Sequence, residues 1–301
     1  MANYQAIVRQ RPEVREFIRN RRWVHRGEVV VYGANTRCDA FSTDEQGFRH
    51  SVFEGKAFSV ADCLKAKRYG VVLGSSHLYG FGLAGNENSI PSLLAEQFGM
   101  PFANVSIPEA NSRNLHSLLK GCIAQAKAPP AMVIHMSGGD FTSFCFTSLA
   151  DPIFGSPNLR QIESALSERG IEPDSELFFP ALLSFNGFWT NMIVQLCRAN
   201  EAPFLLASDT TFFEKSAPSD ADRHCKLGVP SNPPQARQFD THKAYFTRFC
   251  EHRNALAAKL GVPIAGPGPK NDLSYVDEFH YDRPGTARIA ADYAEAIGNL
   301  L

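Results

Sequence analysis

Two separated groups of residues in this chain could do chemistry together. The first is Tyr69-Gly-Val-Val-Leu-Gly-Ser-Ser-His-Leu-Tyr-Gly-Phe-Gly82, a short apolar run ending in a small-residue turn that presents Ser75 and Ser76. The second is Asp277-Glu-Phe-His280, a carboxylate and an imidazole three residues apart. A serine hydroxyl is a weak nucleophile until a base takes its proton, and an imidazole oriented by a carboxylate is such a base. Acyl transfer to a hydroxyl needs this set. The spacing lets Asp277 and His280 reach the same side of one turn. The two groups lie near opposite ends of the active stretch, so only a fold could join them.

The pattern between them predicts that fold. Short apolar runs alternate with helical periodicity from about residue 68 onward. Val71-Val-Leu73, Phe102-Ala-Asn-Val-Ser106, Ala131-Met-Val-Ile-His-Met136, Phe204-Leu-Leu-Ala207 and Val262-Pro-Ile-Ala265 read as strands. Between them, Leu115, Leu118, Leu119, Cys122 and Ile123 recur at helical spacing, as do Tyr245, Phe249, Leu256 and Leu260, and then Ile289, Tyr293 and Ile297 after Pro284. Strands alternating with helices imply an α/β fold, a three-layer α/β/α sandwich around a five-stranded, mostly parallel sheet. The strand runs lack polar alternation, as strands buried on both faces should. Active sites of such sheets sit at the carboxyl ends of the strands. Three ends matter: Leu73-Gly-Ser-Ser76, Asn104-Val-Ser-Ile-Pro-Glu-Ala-Asn-Ser112 and Ser137-Gly-Gly-Asp140.

Residues 1–67 fall outside the alternation and read as an N-terminal extension packed on a main domain of residues 68–301. The extension holds a basic helix and two strand-like pieces, Glu28-Val-Val-Val-Tyr32 and Ser51-Val-Phe53. An insertion at about 141–190 is rich in Phe, Ser and Pro; its aromatics could wall a pocket or form a local core. A second, at about 209–238, is polar and proline-rich and could form a flap.

The bulk properties exclude several classes. Formal net charge is −1 over 301 residues, with 44% hydrophobic content. Nothing global points to nucleic acid. No run of about eighteen apolar residues occurs, so no membrane span is expected, and the first residues lack the apolar core of a signal peptide. Seven cysteines occur without a CxxC pair, which reads as reduced thiols in a cytoplasmic protein. Cys250-Glu-His252 and His224-Cys225 could ligate metal, but no four-ligand spacing appears and no metal or cofactor is required. The arginines at 9, 11, 15, 19, 21, 22 and 26 form either a solvated basic face or a surface for an acidic partner.

The four blocks resemble those of the SGNH/GDSL hydrolases. That family's Gly-Asp-Ser corresponds to Gly74-Ser75-Ser76, its Asn-x-Gly-x-x-Gly to Asn104–Glu109, its Gly-x-Asn-Asp to Ser137-Gly138-Gly139-Asp140, and its Asp-x-x-His to Asp277–His280. Asp44-Glu-Gln-Gly-Phe-Arg49 is similar to a segment that precedes the first block in some bacterial members. The resemblance covers roughly residues 68–301 and implies a flavodoxin-like sheet. It implies Ser76 as nucleophile, His280 as base and Asp277 as the group that orients it. The oxyanion hole would draw on Ser76, Glu109 and Gly139, with Ser75, His77, Asn111 and Asp140 near the substrate.

Three positions depart from the pattern. Ser75 replaces the first-block Asp, Glu109 the second-block Gly, and Gly139 the third-block Asn. Gly139 brings no side-chain donor, so Asn111 or Asn86 is a candidate substitute. The readings left open are a serine ester hydrolase acting on an O-acylated small molecule or sugar, an O-acyltransferase using the same nucleophile, and a non-catalytic binding descendant. Asp240-Thr-His242 is a competing acid–base pair, read here as a helix cap at Asp240. His77 is expected to line the pocket or point away, and His135 to be a structural strand residue.

Overall fold

In the computed structural model, the described residues are 12–19, 23–26, 29–108, 110–142, 178–208, 211, 233–266, 273–276 and 280–300. The N-terminal part contains helix α1 (Pro12–Arg19), an antiparallel hairpin of β1 (Trp23–Arg26) and β2 (Val29–Tyr32), and a second hairpin of β3 (Ser51–Phe53) and β4 (Lys56–Phe58). Helix α2 (Val60–Lys65) follows. Its start is fixed by a capping box in which Ser59 and Asp62 satisfy each other's backbone N–H groups.

The remaining elements build the three-layer α/β/α sandwich. In chain order they are β5 (Gly70–Gly74), α3 (Ser76–Tyr79), α4 (Ile90–Phe98), β6 (Phe102–Ser106), α5 (Ser112–Gln125), β7 (Met132–Met136), α6 (Phe178–Ala199), β8 (Phe204–Ala207), α7 (Pro233–Leu260), β9 (Ile264–Ala265) and α8 (Arg283–Gly298). The five strands pair in parallel, in the order β6-β5-β7-β8-β9. This is the flavodoxin-like order, and it places a topological switch between β5 and β7, where chain crossovers leave in opposite directions. Every residue of β5, β6, β7 and β8 is buried, which accounts for their largely apolar composition, with Asn104, Ser106 and His135 as buried polar exceptions. On one face Val71, Leu73, Val105, Val133 and Leu206 pack with Leu119, Ile193, Val194 and Cys197. On the other, Val72, Ile134 and Leu205 pack with Leu94, Ile289 and Tyr293.

The N-terminal residues are bound into the core rather than only laid on it. Val31, Phe48, Val60, Cys63 and Leu64 join the first of these clusters. Phe17, Tyr32 and Phe41 form a separate aromatic cluster with Tyr79 and Phe81, which follow the candidate nucleophile. Phe17 and Phe41 stack with ring centroids 4.3 Å apart, and Tyr32 stacks on Tyr79 at 5.0 Å.

Two regional expectations are sharpened. Residues 178–190 are the first half of α6, the crossover helix between β7 and β8. Phe141 and Phe179 are fully buried; Phe141 meets Phe246 and Phe249, and Phe179 meets Tyr245, so these aromatics are core. Residues 143–177 and 212–232 lie outside the described residues. Asp240 is not a cap: α7 begins at Pro233, and Asp240 and His242 sit well inside it. Pro233-Pro234 is suited to a helix start, because proline's fixed φ and missing N–H cost nothing in the first turn. The arginines of α1 include Arg19, exposed and 3.6 Å from Glu16. Among the described residues no helix is long and apolar enough to cross a membrane.

Candidate active site

Ser76 is the first residue of α3, directly after β5 ends at Gly74 and Ser75. The backbone N–H groups of a first helical turn have no intrahelical partner, so they point outward beside this hydroxyl. The helix is short and closes on Gly80, whose φ of 81° is left-handed. A side chain there would also collide, since a Cβ would lie 2.7 Å from Arg49 Nη1. Glycine is therefore required at 80 on both counts.

His280 reaches Ser76 from the far end of the chain. Its Nε2 lies 2.8 Å from Ser76 Oγ, across 204 residues of sequence. Both residues are half-buried, accessible to a substrate yet partly shielded from water. The His280 carbonyl accepts from Val276 N–H at 2.7 Å. Tyr275 and Tyr281 pair as an antiparallel bridge beneath it. Asp282 then caps α8, accepting from Gly285 N–H at 3.0 Å and from the Ser274 hydroxyl. The ring of His280 is held between two others: Phe81 at 4.6 Å and His77 at 5.3 Å between centroids. Asp277 lies outside the described residues.

The other two strand ends meet this one. Ile107 N–H donates to the Gly74 carbonyl at 3.2 Å, carrying the second block past the end of β5. At Gly139 a Cβ would fall 2.1 Å from the Ala110 carbonyl oxygen and 3.0 Å from Ser75 Cβ. The third-block turn thus presses its bare backbone against both other blocks. That contact explains the missing asparagine: no side chain fits at 139. Glu109 lies outside the described residues.

The remaining candidates are buried and bonded to the frame. Ser75 is 1% exposed, and its Oγ lies 3.1 Å from His77 Nδ1; this pair stands where the resemblance has an aspartate. Asn111 caps α5, its side-chain oxygen accepting from Asn114 N–H at 3.0 Å. Asp140 accepts from Ser112 N–H at 2.9 Å, Ser112 Oγ at 2.6 Å and Asn186 Nδ2 at 2.7 Å. It ties β7, α5 and α6 together. Burial raises the Asp140 carboxyl above its ordinary pKa, against these bonds, which lower it. Asn86 is not free to serve the oxyanion hole. Its oxygen accepts from Ser42 N–H and Arg49 Nε, and its nitrogen donates to Ser42 Oγ. His135 is fully buried, and burial pushes its pKa down to about 3. Among the described residues no group of His, Cys, Asp and Glu side chains could hold a metal ion.

Sequence reasoning missed Arg49 as part of the site's support. It is 1% exposed and donates to the carbonyls of Gly80 at 2.5 Å, Leu83 at 2.9 Å and Gly85 at 2.8 Å. Its guanidinium also lies over the rings of Phe17 and Phe41. Burial lowers its pKa to about 10, still charged at neutral pH. Arg49 therefore fixes the loop that carries Phe81 onto His280. The signal was the segment Asp44–Arg49, noted only as similar to a piece preceding the first block.

No family model matches the chain, and none of the curated proteins matches it. Among solved structures it is similar to a carbohydrate acetylesterase family member from Sinorhizobium meliloti, at 13% identity over 78% of this chain and 99% of that one, with a TM-score of 0.49. It is similar to a member of the lipolytic protein G-D-S-L family from Veillonella parvula, at 9% identity, 76% and 97% coverage and a TM-score of 0.49. The M. smegmatis aryl esterase gives 15% identity, 78% and 100% coverage and a TM-score of 0.48.

Proposed function

We propose that this chain is a serine ester hydrolase of the SGNH/GDSL type, acting on an O-acylated small molecule or sugar through an acyl-enzyme. The observation that carries the reading is the 2.8 Å contact between Ser76 Oγ and His280 Nε2 at the carboxyl rim of the sheet. In the attacking state the Ser76 hydroxyl donates to Nε2. His280 takes that proton as Oγ bonds to the ester carbonyl carbon. The imidazolium then gives the proton to the leaving alkoxide as the C–O bond breaks, leaving an acyl-serine. Water repeats the sequence and frees the acid. Asp277, three residues before His280 in the sequence, would hold the imidazole in the tautomer that keeps Nε2 an acceptor.

Charge on the tetrahedral oxygen would be met by backbone N–H groups of Ser76, Glu109 and Gly139. Gly139 offers only a backbone N–H where the family pattern has a side-chain donor, and loss of such a donor costs about two to three orders of magnitude in rate, so turnover of simple esters is expected to be slow. Ser75, His77, Asn111 and Asp140 would act by holding these three backbone segments together. The test is steady-state hydrolysis of a short-chain aryl ester. Ser76→Ala and His280→Ala should each lose at least about three orders of magnitude in kcat/KM. Wild-type turnover no faster than that of Ser76→Ala overturns the reading.

A further inference from the structure

The short segment that carries the nucleophile meets the imidazole of His280 with three side chains. Ser76 Oγ lies 2.8 Å from His280 Nε2. Phe81 and His77 each set a ring against the same imidazole, with centroids 4.6 and 5.3 Å away and interplanar angles of 37° and 34°. Those tilts are nearer to offset stacking than to an edge contact. Both distances fall within the roughly 6 Å over which a ring face attracts a cation. Proton transfer from Ser76 uses the first contact and leaves the two rings without a task.

Both rings are held in place. Phe81 N–H donates to the Ser76 carbonyl at 3.0 Å, and its ring packs on Phe17 with centroids 5.4 Å apart. His77 is 3% exposed, and its Nδ1 lies 3.1 Å from Ser75 Oγ. Ser75 in turn packs against the third-block turn, where a Cβ on Gly139 would fall 3.0 Å from Ser75 Cβ. His77 thus links the base to that turn. Burial favours the uncharged form of His77, and the uncharged ring is the one whose face attracts a cation. The other titratable or charged groups around His280 are few. Tyr281 follows it, 5.9 Å from His77 between centroids. Asp282 is engaged by Ser274 and Gly285, and Arg283 is exposed. Arg49 is held on the Gly80 carbonyl, and Asp277 precedes His280 in the sequence.

We infer that His77 and Phe81 are positioning residues for the base, two ring faces that favour the imidazolium of His280 over its neutral ring. His280 is neutral before attack and positive once it holds the Ser76 proton. A contact that strengthens with that charge acts in the transition state and not in the ground state. No bond forms or breaks at either ring. The effect on turnover rests on the ester-hydrolase reading. The preference for a charged His280 does not, and it is measured without substrate.

The test is titration of the His280 ring by NMR, with the acid limb of kcat/KM on a short-chain aryl ester as its kinetic companion. His77→Leu and His77→Phe both lose the bond to Ser75 and any charge at 77; only phenylalanine keeps a ring face. His280 should take up its proton about half a pH unit lower in His77→Leu than in His77→Phe, and kcat should be several-fold lower. Phe81→Leu against Phe81→Tyr repeats the comparison at the other ring and serves if the variants at 77 do not fold. Equal midpoints in either pair, or a higher midpoint in a leucine variant, overturn the inference. Wild-type turnover no faster than that of Ser76→Ala strikes the hydrolase reading alone, because the order of midpoints is read without turnover.

Discussion

Arg49 and Arg253 are both shut off from solvent, at 1% and 0% exposure, yet their surroundings are opposite. Arg49 donates to the carbonyls of Gly80, Leu83 and Gly85 and to Asn86, and two aromatic faces cover it. Arg253 has two nitrogens without an acceptor. A buried charge persists only if something answers it. For Arg49 the answer is the loop behind the nucleophile, so its charge is spent on shape. For Arg253 the described residues supply no such answer beyond Asn254.

The sharpest way to break that contrast is to remove each charge. Arg49→Met leaves three or more buried carbonyls without donors and should cost roughly 3–5 kcal/mol, read from urea midpoints. Arg253→Met should cost little or nothing in the same assay. Equal losses would mean that the two arginines do the same work.

A second test concerns the buried histidine of β7. His135 is neutral in the folded state, with its pKa near 3 against an ordinary 6.5. Between those values the unfolded chain binds the proton that the folded chain refuses. Stability from this group is therefore full above about pH 6.5 and is lost as pH falls toward 3. His135→Phe should flatten that acid limb in urea titrations at stepped pH; an unchanged slope would show that the ring is not kept neutral by burial.

The next effect lies at the rim. Gly139→Ala places a Cβ 2.1 Å from the Ala110 carbonyl, so the three strand ends must part. A loss of about 1–3 kcal/mol is expected, with a larger fall in kcat than in KM effect. The smallest change is Phe81→Leu. It removes the ring beside His280 and should lower ester turnover several-fold with little change in stability; no change in kcat would remove Phe81 from the site's support.

The sheet was legible because its strands are buried on both faces and therefore read as largely apolar runs without polar alternation. The serine and histidine were legible because their types and surroundings survive where Ser75, Glu109 and Gly139 depart. The start of α7 was misread because its apolar stripe begins only at Tyr245; the polar turns from Pro233 carry no periodic signal. Arg49 and Arg253 look alike in sequence, one basic residue among thirty. Only their partners, drawn from distant segments, tell them apart. Gly139 read as a lost donor, whereas the structure gives the reason: the backbone of Ala110 occupies the space.

The most direct measurement is covalent labelling by a fluorophosphonate, followed by intact mass and peptide mapping. The account predicts one adduct per chain, on Ser76, formed at least about a hundredfold more slowly in His280→Ala and absent in Ser76→Ala. An unlabelled wild-type chain, or an adduct that survives Ser76→Ala, would contradict it.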